Sequence, residues 1–211
     1  MCLKTWATIL LVFKEQMIGK KLIACIGDSI TYGETLQERS LQSYPSQLAF
    51  LLGNGCELRN LGKSGAGLWR GGFFPYTNTE EYHLALAMKA DYYVVCLGTN
   101  DIVYGVNDCF LEAFKNDYLD LVGTFKSISP GARVIVCTLP PVPCMRDGGS
   151  DEAIGKLNDT IGRIAKANRF TLVDLHKPFL GNDNLFTDGV HPSVDGARLI
   201  AEKIYEAITG N

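Results

Sequence analysis

Three short polar stretches hold residue types that can carry out acyl transfer: Gly27-Asp28-Ser29, Gly98-Thr99-Asn100-Asp101 and Asp188-Gly189-Val190-His191. A serine hydroxyl becomes nucleophilic only when a neighbouring base removes its proton. Histidine suits that task because its ordinary pKa lies close to working pH. A carboxylate three residues earlier, Asp188, can fix the imidazole tautomer and stabilise the imidazolium. Taken singly, each stretch is also ordinary punctuation. Gly-Asp-Ser suits a strand-to-helix turn with an N-cap, Asn100 and Asp101 suit a turn or cap, and Asp188-Gly189 suits a turn. Their combination is what points to catalysis.

The surrounding pattern shows how they can be brought together. The apolar run Leu22-Ile23-Ala24-Cys25-Ile26 stops abruptly at Gly27-Asp28-Ser29. Such a run reads as a buried parallel strand that delivers one hydroxyl to the carboxyl edge of a sheet. Further strands are predicted over 57–61, 92–97, 133–138 and 170–175. Tyr44-Pro45 opens a helix with Leu48, Leu51 and Leu52 on its apolar face, stopping at Gly53. Helices over 79–89 and 107–128 follow, the second striped by Phe110, Phe114, Tyr118, Leu121, Val122 and Phe125. Ser150 is read as the N-cap of a helix carrying Ile154, Leu157, Ile161 and Ile164. A final helix has Pro192 in its first turn and buries Ala197, Ile200, Ala201, Ile204, Tyr205 and Ile208. The polar stretch 33–43 reads as a loop. Alternating strands and helices predict an α/β protein of three layers, α/β/α, with a five-stranded parallel sheet covered by helices on both faces. In such a sheet every loop that follows a strand opens on one edge, so the three polar stretches can converge there with the glycine-containing loop 62–67.

The bulk properties exclude several classes. A chain of 211 residues suits one domain that buries roughly 70% of its unfolded surface. Its formal net charge of -3 provides no basic field for nucleic acid or anionic lipid. The seven cysteines are scattered and form no Cys-x-x-Cys pair, and the three histidines form no cluster at ligand spacing. No metal or other cofactor is implied. Cys25, Cys96 and Cys137 fall inside predicted strands as small buried hydrophobes, which suggests a reducing compartment and a cytoplasmic location. Residues 1–16 read as an extension ahead of a domain over 17–211. Trp6 to Phe13 is apolar but far short of the ~20 residues of a membrane span. Export is the alternative, should residues 1–16 act as a signal. The oligomeric state is not legible.

With these residues in view, the chain resembles the SGNH hydrolases, also called GDSL esterases and lipases, from about Lys20 to the C-terminus. The four blocks that carry the resemblance are Gly27-Asp28-Ser29, Asn60-x-Gly62-x-x-Gly65, Gly98-Thr99-Asn100-Asp101 and Asp188-x-x-His191, in that order. The resemblance implies a flavodoxin-like sheet, Ser29 as nucleophile, His191 as base and then acid, and Asp188 as its orienting carboxylate. It assigns the oxyanion hole to the backbone N–H groups of Ser29 and Gly65 and the side-chain amide of Asn100.

The substrate is less sharply marked. The loop Trp69-Arg70-Gly71-Gly72-Phe73-Phe74-Pro75-Tyr76 follows the second block, and aromatics beside an arginine suit a sugar face or a carboxylate. Trp69, Arg70 and Tyr76, with Asp28 beside the nucleophile, are the candidate substrate contacts. A packed surface loop is the competing reading of the first three. Asp28 and Asp101 also suit the organisation of their own loops through backbone hydrogen bonds. Ser43-Tyr44-Pro45, Pro75-Tyr76 and Phe114-Lys115-Asn116-Asp117-Tyr118 resemble the branch of sialate or carbohydrate O-acetylesterases. That resemblance implies a small acyl group, acetyl above all, on a polar alcohol such as a sugar. Two alternatives stand beside it. A thioesterase or lysophospholipase would use the same machinery, and a flavodoxin-like binding module would share the sheet, although no Walker or Rossmann glycine loop is present.

Overall fold

The computed structural model describes residues 19–145 and 149–210. The extension read over 1–16 lies outside these residues. Five strands, β1 (Lys21–Gly27), β2 (Cys56–Gly62), β3 (Tyr92–Cys96), β4 (Arg133–Cys137) and β5 (Thr171–Val173), form one sheet in the order β2-β1-β3-β4-β5. Every neighbouring pair is parallel. The strands buried on both faces are therefore near-continuous apolar runs rather than alternating ones. Register sets the site: Gly27 pairs with Gly62 on one side and Cys96 on the other. The segments after β1, β2 and β3 thus leave the sheet at one level of one edge.

Eight α-helices among the described residues flank the sheet: α1 (Ser29–Tyr32), α2 (Arg39–Gln42), α3 (Tyr44–Leu52), α4 (Glu80–Ala87), α5 (Asp108–Ile128), α6 (Gly149–Asn168), α7 (His176–Phe179) and α8 (Val194–Thr209). On one face Ile23, Cys25, Val94 and Ile135 pack against Leu48 of α3 and Ala197, Ile200, Ala201 and Ile204 of α8. On the other, Ala24, Ile26, Tyr93 and Val95 pack against the α5 stripe Phe110–Phe125 and the α6 stripe Ile154–Ile164. The Tyr93 and Phe125 rings stack 4.5 Å apart and fasten α5 to β3. Each side chain of this size buried in either layer contributes roughly 1.5–3 kcal/mol. No helix among the described residues is long and apolar enough to cross a membrane.

The parallel five-stranded sheet and its two helical layers agree with the sequence reading; several local details do not. The stretch 33–43 is not all loop, since α2 occupies its second half. Leu51 is exposed, and the buried face of α3 is made by Tyr44 and Leu48 instead. The α4 helix ends at Ala87, before 89. Ser150 lies in the first turn of α6 rather than at its cap, beside Asp151 and Glu152, whose charges suit the positive end of the helix dipole. Pro192 precedes α8 altogether. Ser193 caps that helix by accepting from the Gly196 N–H at 3.3 Å, and Pro192 pairs with Phe186 in an isolated antiparallel bridge. A serine hydroxyl satisfies an orphan N–H that a proline cannot, so the cap falls at Ser193 and the helix starts beyond the proline.

Candidate active site

Ser29 is the first residue of α1, directly after β1 and the capping residue Asp28. Only glycine fits at position 27. A Cβ there would lie 1.9 Å from Thr31 Oγ1 and 2.8 Å from the Cys96 carbonyl oxygen. A four-residue helix is too short to persist alone, and α1 is held from beneath. Thr31 Oγ1 lies 3.1 Å from the buried Tyr44 hydroxyl, which in turn donates to Cys96 Sγ at 3.7 Å. Burial keeps the Tyr44 hydroxyl and the neighbouring Cys25 thiol protonated by raising both pKa values. The Ser43-Tyr44-Pro45 stretch thereby acts as the floor beneath the nucleophile.

His191 comes from the segment between α7 and α8, at the same edge. Its Nε2 lies 2.9 Å from Ser29 Oγ and its Nδ1 2.7 Å from Asp188 Oδ2. The other oxygen of Asp188 accepts from the backbone N–H groups of Val190 at 3.0 Å and His191 at 2.8 Å. One carboxylate therefore shapes the loop and orients the ring together. The loop is closed by the Thr187 N–H, which donates to the His191 carbonyl at 2.8 Å, and by the Ser193 N–H, which donates to the Leu185 carbonyl at 2.8 Å. Partial burial pushes the Asp188 pKa upward, but the imidazole and the two backbone N–H groups outweigh it and hold the carboxyl at about 2. Asp188 is thus ionised at neutral pH and keeps the imidazole hydrogen on Nδ1. The Nε2 lone pair is left facing the serine hydroxyl, which is the arrangement needed to take its proton.

The segments after β2 and β3 are tied to each other beside this row. Asn100 donates from its amide to the Ala66 carbonyl at 3.0 Å, and Lys63 donates its backbone N–H to the Gly27 carbonyl at 2.9 Å. Asp101 is fully buried, and its two oxygens accept from the backbone N–H groups of Leu68 at 2.8 Å and Trp69 at 2.9 Å. Residue 67 must be glycine for this clamp to close, because a Cβ there would stand 2.9 Å from Asp101 Oδ1. Among the described residues, no protein acceptor takes the backbone N–H of Ser29, the backbone N–H of Gly65 or the second amide hydrogen of Asn100. These are three unused donors on the three segments that follow β1, β2 and β3. A developing oxyanion requires donors of this kind, fixed in advance.

Asp28 does not reach outward as a substrate contact. It is buried, and its Oδ1 caps α1 by accepting from the Ile30 N–H at 2.9 Å, while Oδ2 is buried without a hydrogen-bond partner. Desolvation raises the carboxyl to about 7, opposed in part by the Ile30 N–H, and the Asp101 charge adds to the rise. An unfolded Asp ionises near ~4, so from about pH 4 to 7 the folded state alone keeps the proton and stability falls as pH rises through that window. Asp28→Asn retains the capping oxygen and removes the ionisation. Its stability relative to the parent should therefore improve from pH 5 to pH 8, by up to about 2–4 kcal/mol in urea unfolding. A difference between the two proteins that is flat with pH would contradict this assignment.

The other three candidate contacts are also committed to the protein. The Trp69 ring packs edge-on against Tyr104 and Phe110 at 5.1 and 5.2 Å. The Arg70 guanidinium turns to α5, with Nη1 3.1 Å from Asp120 Oδ2 and Nε 3.7 Å from Asp117 Oδ1. Tyr76 is buried, and its hydroxyl donates to the Leu61 carbonyl at 2.7 Å. Each of these side chains finds its partners within the protein, with hydrogen bonds that reach 15–50 residues along the sequence. What the sequence reading passed over in the same loop are Phe73 and Phe74, two apolar residues that no periodic element claims. A cavity of about 940 Å³ lies against α1 and β2, lined by Glu34, Arg39, Asn60 and Glu81 among others, but neither Ser29 nor His191 lines it. Among the described residues, no group of three or more His, Cys, Asp or Glu side chains is arranged to hold a metal ion.

Comparison with known proteins follows the same residues. A curated acetylxylan esterase of Xylanibacter ruminicola is 32% identical over 206 residues, covering 88% of this chain. The chain spans only 42% of that relative's length. Among solved structures, Est24, a carbohydrate acetylesterase from Sinorhizobium meliloti, superposes with a TM-score of 0.74 at 20% identity, covering 90% of this chain and 99% of its own. The native M. smegmatis aryl esterase superposes with a TM-score of 0.73 at 20% identity and the same coverage. At those identities the two structures speak for the fold alone. Residues 25–199, from within β1 to within α8 and including all four polar blocks, match the family model itself, and the chain belongs to the GDSL-like lipase/acylhydrolase family.

Proposed function

We propose that the protein is a serine esterase that removes short acyl groups, acetyl in particular, from a carbohydrate alcohol. The observation that carries this reading is the unbroken hydrogen-bonded row from Ser29 Oγ through His191 to Asp188. His191 Nε2 takes the hydroxyl proton as Ser29 Oγ bonds to the ester carbonyl carbon. The carbonyl electron pair moves to oxygen, where the N–H groups of Ser29 and Gly65 and the Asn100 amide receive the charge. Collapse of this tetrahedral species breaks the bond to the alcohol, which leaves with the proton from His191. Water then bonds to the acyl carbon as His191 takes its proton, the bond to Ser29 Oγ breaks as His191 returns that proton to the serine, and the acid departs.

The acyl and alcohol halves rest on different support. The acetylxylan esterase relative favours acetyl on a xylan-like sugar. The described residues include no long amphipathic helix placed as a lid over Ser29, which disfavours a lipid interface. A series of p-nitrophenyl esters from acetyl to octanoyl tests the acyl preference, and acetate release from acetylated xylo-oligosaccharides tests the alcohol. Turnover should peak at acetyl and decline with chain length. A peak at octanoyl would replace this reading with a lipase, lysophospholipase or thioesterase on the same residues.

A further inference from the structure

The loop between β2 and α4 presents two phenylalanines that no part of the core requires. Phe73 is 94% exposed and Phe74 is 40% exposed, although each carries a large apolar ring. Exposed aromatics on a mobile loop would mean little, but this loop is pinned along its length. Asp101 accepts from the backbone at 68 and 69, and Asp117 accepts from the Arg70 N–H at 2.8 Å. The Phe73 N–H donates to the Tyr104 hydroxyl at 2.7 Å, and the Gly67 N–H donates to the Phe74 carbonyl at 2.9 Å. The Tyr76 N–H returns the pairing to the Gly67 carbonyl at 2.8 Å, and Gly67 and Pro75 form an isolated bridge. Rigid backbone carrying exposed rings is how a protein prepares a surface in advance of a ligand, since little ordering entropy remains to be lost on binding.

The position of the rings says which ligand. Phe74 stands over the segment that follows β2, with its Cδ1 3.9 Å from where a Cβ on Gly65 would be. The Phe73 ring leans on Tyr104, with centroids 5.5 Å apart, and Tyr104 in turn meets Trp69 at 5.1 Å. Tyr104 ends the 3-10 turn Thr99–Tyr104, whose second residue is Asn100. The aromatic ledge therefore starts at the oxyanion donors and runs outward from them. Arg70, the cation nearest in sequence, is held by Asp117 and Asp120, so the ledge offers ring faces and edges rather than a charge. That surface matches the C–H face of a pyranose ring and gives no counter-ion to a phosphate or carboxylate head.

We infer that Phe73 and Phe74 form the subsite that stacks the sugar ring of an acetylated saccharide and so set the preference of the enzyme for a carbohydrate alcohol. The inference deepens the esterase reading and rests on it for the ester, but not for the sugar. The apolar area that one pyranose face covers is worth about a tenfold change in affinity.

The test compares wild type, Phe73→Ala, Phe73→Trp and Phe50→Ala, the last removing an equally exposed ring from α3, outside the loop. Two ester substrates are used: an acetylated xylo-oligosaccharide and glyceryl triacetate, which has no ring. The ratio of kcat/KM between the saccharide and triacetin should fall about tenfold in Phe73→Ala, mainly through KM. It should be retained in Phe73→Trp and unchanged in Phe50→Ala. Binding of the unacetylated xylo-oligosaccharide, measured calorimetrically, should weaken by a similar factor in Phe73→Ala. An unaltered ratio with unaltered saccharide binding would overturn the subsite, as would wild type failing to bind the saccharide at all. If wild type binds the sugar through Phe73 but hydrolyses no acetyl ester, the esterase reading falls and the subsite stands.

Discussion

Ser29→Ala and His191→Ala should each remove nearly all ester hydrolysis, about 10⁶-fold in kcat, and the double variant should be little slower than either. The reason lies in the 2.9 Å contact between His191 Nε2 and Ser29 Oγ. The two side chains make one proton transfer between them, so the first deletion removes the step and the second finds nothing left to remove. Turnover remaining in all three variants would come from donors that do not depend on either side chain, namely the N–H groups of residues 29 and 65 and the Asn100 amide. Folding should be intact. Ser29 lies at the start of α1, whose cap bond from Asp28 to the Ile30 N–H and whose Thr31–Tyr44 bond do not use the serine Oγ. Initial rates on p-nitrophenyl acetate, with thermal melts of each variant, measure both statements. Losses that multiply in the double variant would mean that the two residues act in separate steps.

Asp188→Asn should leave the fold in place and lower kcat by about 10⁴. An asparagine at 188 can still accept from the Val190 and His191 N–H groups with its oxygen, so the loop keeps its shape. The change falls on the other atom. Where Asp188 Oδ2 accepts from the ring at 2.7 Å, the asparagine places an NH₂ that can only donate. The imidazole then moves its hydrogen to Nε2, and no lone pair faces Ser29. The same substitution has a stability signature. The folded pKa of Asp188 is depressed to about 2, so its contribution is present above the unfolded value near ~4 and is lost as pH falls through 2. Relative to wild type the variant should be less stable at pH 6 and should draw level as pH approaches 2. A rate close to wild type would show that the tautomer is fixed by something other than Asp188.

The chemistry of this site was more legible than its surroundings, for a physical reason. Gly27-Asp28-Ser29 and Asn100 sit at or just beyond strand ends, where parallel register alone brings them to one edge, and the long segment after β5 carries Asp188-x-x-His191 to it. Knowing that the strands are parallel suffices to expect the convergence. The loop from 69 to 76 has no such rule. Whether Trp69, Arg70 and Tyr76 face a ligand or the protein depends on Phe110, Asp117, Asp120 and Leu61, which are remote in sequence. Residue type alone singled out those three, and their partners could be known only from the tertiary structure. Asp101 illustrates the same point in the other direction. Its role as an organiser of backbone was expected, but the backbone it organises belongs to residues 68 and 69, over thirty positions away. The short helix α2 and the cap at Ser193 were hidden because local signals there compete: a polar stretch without periodicity, and a proline adjacent to a better cap.

The claim on which the rest depends is that Ser29 is the nucleophile, and an irreversible organophosphorus reagent tests it most directly. Treatment with diisopropyl fluorophosphate, followed by peptide mapping and assay on p-nitrophenyl acetate, should place one phosphoryl group per chain on Ser29 and abolish hydrolysis in proportion to labelling. The label should be absent from Ser29→Ala and strongly slowed in His191→Ala, because the same base must remove the hydroxyl proton for either electrophile. Hydrolysis that survives complete labelling of Ser29, or inactivation with the label on another residue, would contradict the account.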